Sequence, residues 1–196
     1  AQTRNSLGKV EEAERYYRRS LAAKRAVLGD AHPSVTIGLN NLAIFLALQR
    51  GQLHEGEAMA REALGLDRKI FGNRHSYVAE GLRNVGIILQ AKGRFAQADT
   101  MLREALSIDR EVLGERHEKM ANLYAQLSGV RFQVGDTRES VRLMREALVR
   151  FRDLLGEGHL NTVIIMNNLA RQLTDAGGAV EAEALSRKVL THLDSA

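Results

Sequence analysis

The strongest constraint on this chain is an internal repeat with a period of 42 or 43 residues. A Leu-Gly or Phe-Gly pair recurs four times, at spacings of 43, 42 and 42 residues, and a histidine stands three residues after each of these glycines. The histidines are His32, His75, His117 and His159. Nine residues further on stand Asn41, Asn84, Gln126 and Asn168. A fixed period of roughly 20–50 residues is the signature of stacked repeats, so the chain is predicted to stack similar units that contact mainly their neighbours.

Between these landmarks the pattern is helical. Apolar residues recur at three- and four-residue steps, and a second set of glycines stands between the Leu/Phe-Gly pairs. Glycine favours left-handed C-terminal caps, so each period is predicted to hold two antiparallel helices that both end at glycine. The predicted first helices lie near 33–50, 75–92, 117–134 and 159–176. The predicted second helices lie near 9–28, 52–71, 94–113, 136–155 and 179–193, after half a helix at 1–7 that ends at Gly8.

Composition agrees with an all-helical chain and excludes several kinds of site. There is one proline in 196 residues, and proline breaks helix interiors. There is no cysteine, which excludes disulfides, cysteine-ligated metals and cysteine nucleophiles. The net charge is only +4, with basic residues interleaved with acids, whereas a nucleic-acid binder has a clustered basic stripe. No apolar run of about 18 residues occurs, so no membrane span is predicted.

The charged residues follow the same register as the repeat. Acid-then-base pairs four residues apart stand on the second helices, and each is worth roughly 0.2–0.5 kcal/mol. These pairs are Glu14 and Arg18, Glu57 and Arg61, Asp99 and Arg103, and Glu183 and Arg187. A solvated helix face therefore explains most of the charge. No phosphate loop, zinc-protease motif or serine-hydrolase motif is present, so the chain is predicted to have no catalytic residues, no cofactor and no metal.

The repeat resembles the tetratricopeptide repeat in the long form seen in kinesin light chain. Small residues recur at one register of the first helices, in strings such as Asn41-Leu42-Ala43, and at two registers of the second helices. The resemblance implies an all-α, right-handed superhelical solenoid of antiparallel helix pairs, with first helices lining a concave face. The whole chain, 1–196, is then a single array with a partial repeat at 1–31 and repeats at 32–74, 75–116, 117–158 and 159–196. An array that begins inside a repeat leaves helix 9–28 partly uncovered, which favours contacts between chain ends.

The resemblance also predicts a binding groove. An amide can donate and accept hydrogen bonds at once, so a row of amides on the concave face suits a peptide backbone. The predicted groove set is Ile37, Asn40, Asn41, Ile44, Arg83, Asn84, Ile87, Asn122, Gln126, Asn167, Asn168 and Arg171. Isoleucines and arginines in this set suit an acidic partner segment with an apolar anchor. The same amides could instead bond the next helix or keep the groove soluble, and the sequence leaves both readings open.

The four registered histidines are not predicted to bind metal. Neighbouring repeats lie about 8–10 Å apart, whereas zinc holds its nitrogen ligands at about 2.0–2.1 Å. Each ring is predicted to pack at the start of its own first helix. The aromatic residues of the helices, including Tyr17 and Phe45, are predicted to lie in the core.

Three functions are compatible with this pattern. The first is a non-catalytic interaction module, a scaffold or adaptor, that holds a peptide or partner segment in the concave groove. The second is a structural spacer or self-associating segment of a larger bacterial regulatory protein. The third is a sensor that closes around a small peptide signal. Arginine outnumbers lysine by 22 to 6, which fits a GC-rich bacterial gene, and a cytoplasmic location is expected.

Overall fold

The computed structural model describes residues 2–194, with side chains for residues 9–192. All the regular elements in this part of the chain are α-helices. They are α1 (Gln2–Leu28), α2 (Pro33–Gln49), α3 (Leu53–Phe71), α4 (Ser76–Ala91), α5 (Phe95–Leu113), α6 (Glu118–Gln133), α7 (Thr137–Leu155), α8 (Leu160–Asp175) and α9 (Ala179–Asp194). We call α2, α4, α6 and α8 the first helices and the others the second helices. From α2 onward, every helix begins and ends within two residues of its predicted bounds.

The prediction was wrong at the start of the chain. Gly8 was expected to end a first helix, but α1 runs through it without a break. The sequence supplies a physical reason. An internal glycine costs a helix only roughly 1 kcal/mol, so α1 can continue through Gly8.

The glycines after the other helices have the expected positive φ. At Gly72 and Gly156 the φ angles are 76° and 87°, but the ψ angles are 178° and 164°. These residues therefore leave the helix with extended ψ, and not through the predicted left-handed cap. This backbone region is essentially restricted to glycine. The N–H of each glycine still donates to a carbonyl four residues earlier, that of Arg68 or Arg152.

Each registered histidine is the N-cap of a first helix. The ring Nδ1 accepts a hydrogen bond, 3.1 or 3.2 Å long, from the main-chain N–H two residues later. An accepting Nδ1 carries no proton, so these bonds require the neutral ring with its proton on Nε2. His75 also stacks on Phe71 of the preceding helix, with ring centroids 4.4 Å apart. Histidine is not among the preferred N-cap residues, which is why the sequence pattern did not indicate this role.

The chain forms two compact units, divided between Ile108 and Asp109 within α5. Unit 1, before this boundary, has a core between α1, α2 and α3. That core comprises Leu21, Val35, Leu39, Leu42, Leu46 and Ala63, with Phe45, Met59 and Leu66 packed against it. Unit 2, after the boundary, buries large apolar residues of α6 and α7. These include Met120, Leu123, Leu127, Leu143 and Phe151.

Small residues allow paired helices to approach closely. A Cβ added to Gly56 of α3 would lie 2.7 Å from the carbonyl oxygen of Ala43 on α2. In unit 2 the same two registers hold Ser128 and Ser140, and each hydroxyl donates to the other residue's carbonyl, at 2.8 and 2.9 Å. Gln172 of α8 joins this fully buried network through Ser128. The two pairs therefore approach differently: Gly56 fits against the α2 backbone without a Cβ, whereas Ser128 and Ser140 join their helices through hydrogen bonds.

The predicted ion pairs four residues apart are confirmed, but one of them is not on a solvated face. All four pairs form at 2.7–2.9 Å. Glu57 is only 8% exposed and also accepts a 2.7 Å hydrogen bond from Lys92 at the end of α4. The Lys92 hydrogen bond, followed by that of Arg61, lowers the pKa of Glu57 despite its burial. This carboxylate therefore fastens α3 to α4 as well as stabilising its own helix.

Candidate interaction surface

Six of the seven predicted groove residues in unit 1 line one cavity. The cavity has a volume of about 360 Å³ and lies between α1, α2 and α4. Its lining includes Asn40, Asn41, Ile44, Arg83, Asn84 and Ile87. Ile37, the seventh predicted residue of this unit, lies on α2 outside the lining and is 39% exposed. The amides and isoleucines of α2 and α4 therefore share one concave site, which we call the unit 1 cavity.

The polar wall of the unit 1 cavity is made of buried amides. Asn40 and Asn84 are only 7% and 4% exposed, whereas Asn41 is exposed. The Oδ1 atom of Asn40 is buried and has no hydrogen-bond partner. An unsatisfied buried acceptor costs about 1–3 kcal/mol, so native proteins contain few of them. Asn40 therefore contributes an unsatisfied amide acceptor to the wall of the unit 1 cavity.

The apolar wall includes two aromatic rings that the sequence had assigned to the core. Tyr17 and Phe45 have centroids 5.1 Å apart and an interplanar angle of 42°. Tyr17 is 39% exposed, so its assignment to the core was wrong. The physical reason is that Tyr17 lines two open hollows beside α1, so solvent reaches its ring. Leu48, which is 50% exposed, also lines the cavity and was missed by sequence reasoning because its register falls outside the amide face.

Two charged residues complete the unit 1 cavity. Glu80 and Arg83 stand three residues apart on α4 and both line it. Arg83 is half-buried, and among the described residues no carboxylate pairs with its guanidinium. Arginine presents a planar fork of donors that matches a carboxylate. The cavity thus combines an apolar wall, an amide acceptor and a guanidinium that carries no ion pair.

In unit 2 the predicted residues are in different environments. The Asn122 side chain donates to the Glu118 carbonyl of its own helix at 3.2 Å. The Arg171 guanidinium lies 5.7 Å from the centroid of the Phe132 ring. Gln126 has a buried Oε1 atom without a partner, Asn168 is half-buried and Asn167 is exposed. A cavity of about 590 Å³ in this unit lies elsewhere and has none of the predicted residues in its lining. That lining comprises Glu115, Arg116, Val149, Arg150, Asp153 and Leu154.

Within residues 2–194, no helix combines the length and apolar character that crossing a bilayer would require.

Comparison with known families identifies the repeat. Two models, both described as tetratricopeptide repeat, match the chain. One matches residues 35–111, 77–148 and 119–195, and the other matches residues 2–34. The chain belongs to the tetratricopeptide repeat family. No curated protein sequence matches the chain significantly.

Solved structures of tetratricopeptide repeat proteins share the fold. A putative kinesin light chain with TPR-like repeats from Podosopora anserina matches with a TM-score of 0.76 and 20% identity. The match covers 99% of this chain and 92% of the kinesin light chain structure. BtubC from P. vanneervenii matches with a TM-score of 0.83 and 19% identity, and the match covers 95% of this chain and 74% of BtubC. The predicted all-α fold of paired helices and the resemblance to the kinesin-light-chain type are thus confirmed.

Proposed function

We propose that this tetratricopeptide repeat chain is a non-catalytic interaction module, a scaffold or adaptor, and that the unit 1 cavity holds an extended segment of a protein partner. Tetratricopeptide folds generally mediate contacts between proteins, which supports the broader part of this proposal. The binding mechanism needs no covalent chemistry. Side chains held on rigid helices lower the entropic cost of fixing a flexible partner.

The unpaired Oδ1 of Asn40 carries the proposal. The atom is buried in the cavity wall, and an incoming main-chain N–H would supply its missing donor. Asn84 lines the same cavity from α4 and offers a second amide. A peptide unit carries one donor and one acceptor, so two amides from neighbouring helices can hold its backbone without reading its side chains.

The other cavity residues suggest the partner's side chains. Within the described part of the chain Arg83 forms no ion pair, so its guanidinium could donate to a carboxylate, whereas Tyr17, Ile44 and Phe45 would cover an apolar side chain. We therefore propose an acidic partner segment with one apolar anchor. The Rap protein complexed with Competence and Sporulation Factor has the same fold, with a TM-score of 0.79, 15% identity, and coverage of 97% of this chain and 51% of its own. That complex supports ligand binding by this fold without identifying the ligand of this chain.

A random peptide library displayed on phage tests the proposal. Peptides enriched on the immobilised chain are synthesised with a fluorophore, and their affinity is measured by anisotropy. We expect Asn84→Ala and Arg83→Gln each to weaken binding by about tenfold, since each removes a hydrogen bond or ion pair of roughly 1.4 kcal/mol. The matched controls are Asn73→Ala in the exposed α3–α4 loop and Arg19→Gln on the exposed side of α1.

The outcomes separate clearly. Enriched acidic peptides that lose affinity with the cavity variants and keep it with the controls support the proposal. Peptides whose affinity is unchanged by Asn84→Ala and Arg83→Gln would place binding elsewhere and overturn it. Failure to enrich any peptide would also count against it.

A spacer or self-associating segment of a larger bacterial regulatory protein is the second candidate, favoured by the exposed residues Tyr16 and Val27 of α1. Light scattering over a range of concentrations separates it from a monomeric adaptor. The single array over 1–196, the peptide sensor and the cytoplasmic location stay predictions.

A further inference from the structure

The cavity of about 590 Å³ in unit 2 has exposed apolar side chains in its lining. Val149 and Leu154 of α7 are 52% and 40% exposed. At the register of Val149, α3 and α5 carry Gly65 and Ser107 instead. The exposed valine is therefore a feature of this pair and not of the repeat. Apolar surface that is exposed in one continuous patch marks an interaction site.

Two charged residues of opposite sign line the same cavity. Arg116 comes from the loop between α5 and α6, Asp153 comes from α7, and both are exposed. Within the described part of the chain, neither side chain forms an ion pair. Together with Val149 and Leu154 they make a surface that has a free cation, a free anion and an apolar patch. We call this surface the unit 2 face.

A network of charges holds the loop wall of the cavity in place. The Glu115 carboxylate pairs with Arg110 at 2.6 Å and with Arg150 of α7 at 3.1 Å. The Arg150 guanidinium carbon lies 4.4 Å from the centroid of the Tyr124 ring, and the Tyr124 hydroxyl accepts a 2.9 Å hydrogen bond from Arg110. Arg116 follows Glu115 directly, so the network fixes the main chain that carries the Arg116 side chain. A fixed position lowers the entropic cost of binding.

This network is specific to the α6–α7 pair. In unit 1 the registers of Tyr124 and Arg150 hold Leu82 and Ile108, which are both buried. A charge at such a core register is costly unless it is paired, and Glu115 supplies a pairing carboxylate here. The pair has thus exchanged an apolar core contact for a charged wall beside the unit 2 face.

We infer that the unit 2 face binds a second copy of the chain, in a dimer with a two-fold axis. In such a dimer the same surface patch on both copies meets itself. Arg116 of one copy pairs with Asp153 of the partner subunit, and the reverse pair forms at the same time. Val149 and Leu154 of each copy pack into the cavity of the other.

The charge balance of the unit 2 face favours a second copy over another protein. The charged residues that line the cavity are two arginines and two carboxylates, so their charges cancel: Glu115, Arg116, Arg150 and Asp153. A face for an acidic or a basic partner would carry a net charge of the opposite sign. A neutral face with one free charge of each sign is instead complementary to itself under a two-fold rotation. The face shares no residue with the unit 1 cavity, so the inference stands without the proposed function.

Charge reversal tests the dimer with the protein alone. Sedimentation velocity of the full chain, from about 1 µM to about 1 mM, covers the affinities expected of a small interface. The buffer has low ionic strength, because salt screens exposed charge pairs. We expect the wild type to pass from monomer to dimer as its concentration rises. Arg116→Glu and Asp153→Arg should each weaken dimerisation by about tenfold or more, because each places like charges opposite one another twice across the axis.

Restoring opposite charges provides the decisive measurement. An equimolar mixture of the Arg116→Glu and Asp153→Arg chains can form dimers in which both pairs again join opposite charges. The double variant restores both pairs in the same way. Each should therefore dimerise within about threefold of the wild type. The matched controls are Arg138→Glu and Asp175→Arg, which reverse exposed charges of unit 2 outside the face and should leave dimerisation unchanged.

A substitution on the apolar patch gives an independent measurement. Val149→Ser introduces the residue type that α5 has at this register, so the fold should tolerate it. It should weaken dimerisation by about fivefold, because it removes apolar surface from the interface. Circular dichroism spectra of all the variants show whether the chain remains folded.

Three results would overturn the inference. The first is a wild type that stays monomeric over the whole concentration range. The second is a dimer that the face variants weaken no more than the controls do, which would place self-association on another surface. The third is a mixture of the two single variants that dimerises no better than either variant alone.

Discussion

Two glycines on one helix should respond to alanine in opposite ways. Both Gly56 and Gly65 lie within α3, where alanine is the better helix former by about 1 kcal/mol. At Gly65 an added Cβ meets nothing within 4 Å, so Gly65→Ala should stabilise the protein by nearly that amount. At Gly56 the Cβ would lie 2.7 Å from the Ala43 carbonyl oxygen and 3.0 Å from the Ala47 Cβ.

The contact at Gly56 outweighs the gain in helix propensity. Its nearest neighbour is a backbone atom of α2, which cannot rotate away as a side-chain end would, so the two helices must separate. Overpacking of this kind costs about 1–3 kcal/mol. Subtracting the propensity gain leaves Gly56→Ala destabilised by about 0–2 kcal/mol. The two variants should therefore differ by about 1–3 kcal/mol.

Urea denaturation followed by circular dichroism at the helix band measures this difference. Both substitutions lie in the same helix of unit 1, so an unfolding transition of that unit reports on both of them. We expect the midpoint of Gly65→Ala to lie above that of the wild type and the midpoint of Gly56→Ala to lie below it. If Gly56→Ala equals or exceeds Gly65→Ala in stability, close approach is not the reason for glycine at this register.

Substitutions at three further positions test charges and caps. Hydrogen bonds from Lys92 and Arg61 lower the pKa of Glu57, so this carboxylate stabilises the fold at pH values above its ordinary pKa. Glu57→Gln should therefore cost about 1.5–3 kcal/mol at neutral pH and little in acid, which urea titrations at several pH values would measure. Burial raises the pKa of Asp67, so its charge opposes folding as pH rises; Asp67→Asn should raise the thermal midpoint at pH 7 and lose this advantage at low pH. His159→Ala should cost about 0.5–2 kcal/mol and His159→Asn much less, because asparagine can still cap α8.

The repeat itself determined most of the fold. A period of 42 or 43 residues, with glycines at two registers, predicted the bounds of α2–α9 to within two residues. It succeeded because most helix ends are encoded locally: a glycine with positive φ follows each of α1–α8, and a histidine caps each first helix. The same local rule failed at Gly8, because one glycine costs a helix only roughly 1 kcal/mol and α1 continues through it.

The repeated amides predicted where the unit 1 cavity lies, but they did not predict how deeply each amide is buried. Asn41 and Asn84 occupy equivalent positions, yet one is exposed and the other is 4% exposed, because neighbouring helices cover them unequally. The Tyr17 ring of α1 joins Asn40 and Phe45 of α2 in the cavity lining, and no spacing within one repeat specifies this proximity between helices.

The division between sequence and structure follows from the range of each interaction. Periodicity and capping act over a few residues, so the sequence alone determined the helices, their order and the small-residue registers. Burial depends on which helix lies next to which, so only the tertiary structure decided that Glu57 is buried and that Tyr17 is exposed. The unit 1 cavity, which is proposed to bind a partner, likewise depends on how α1, α2 and α4 pack together.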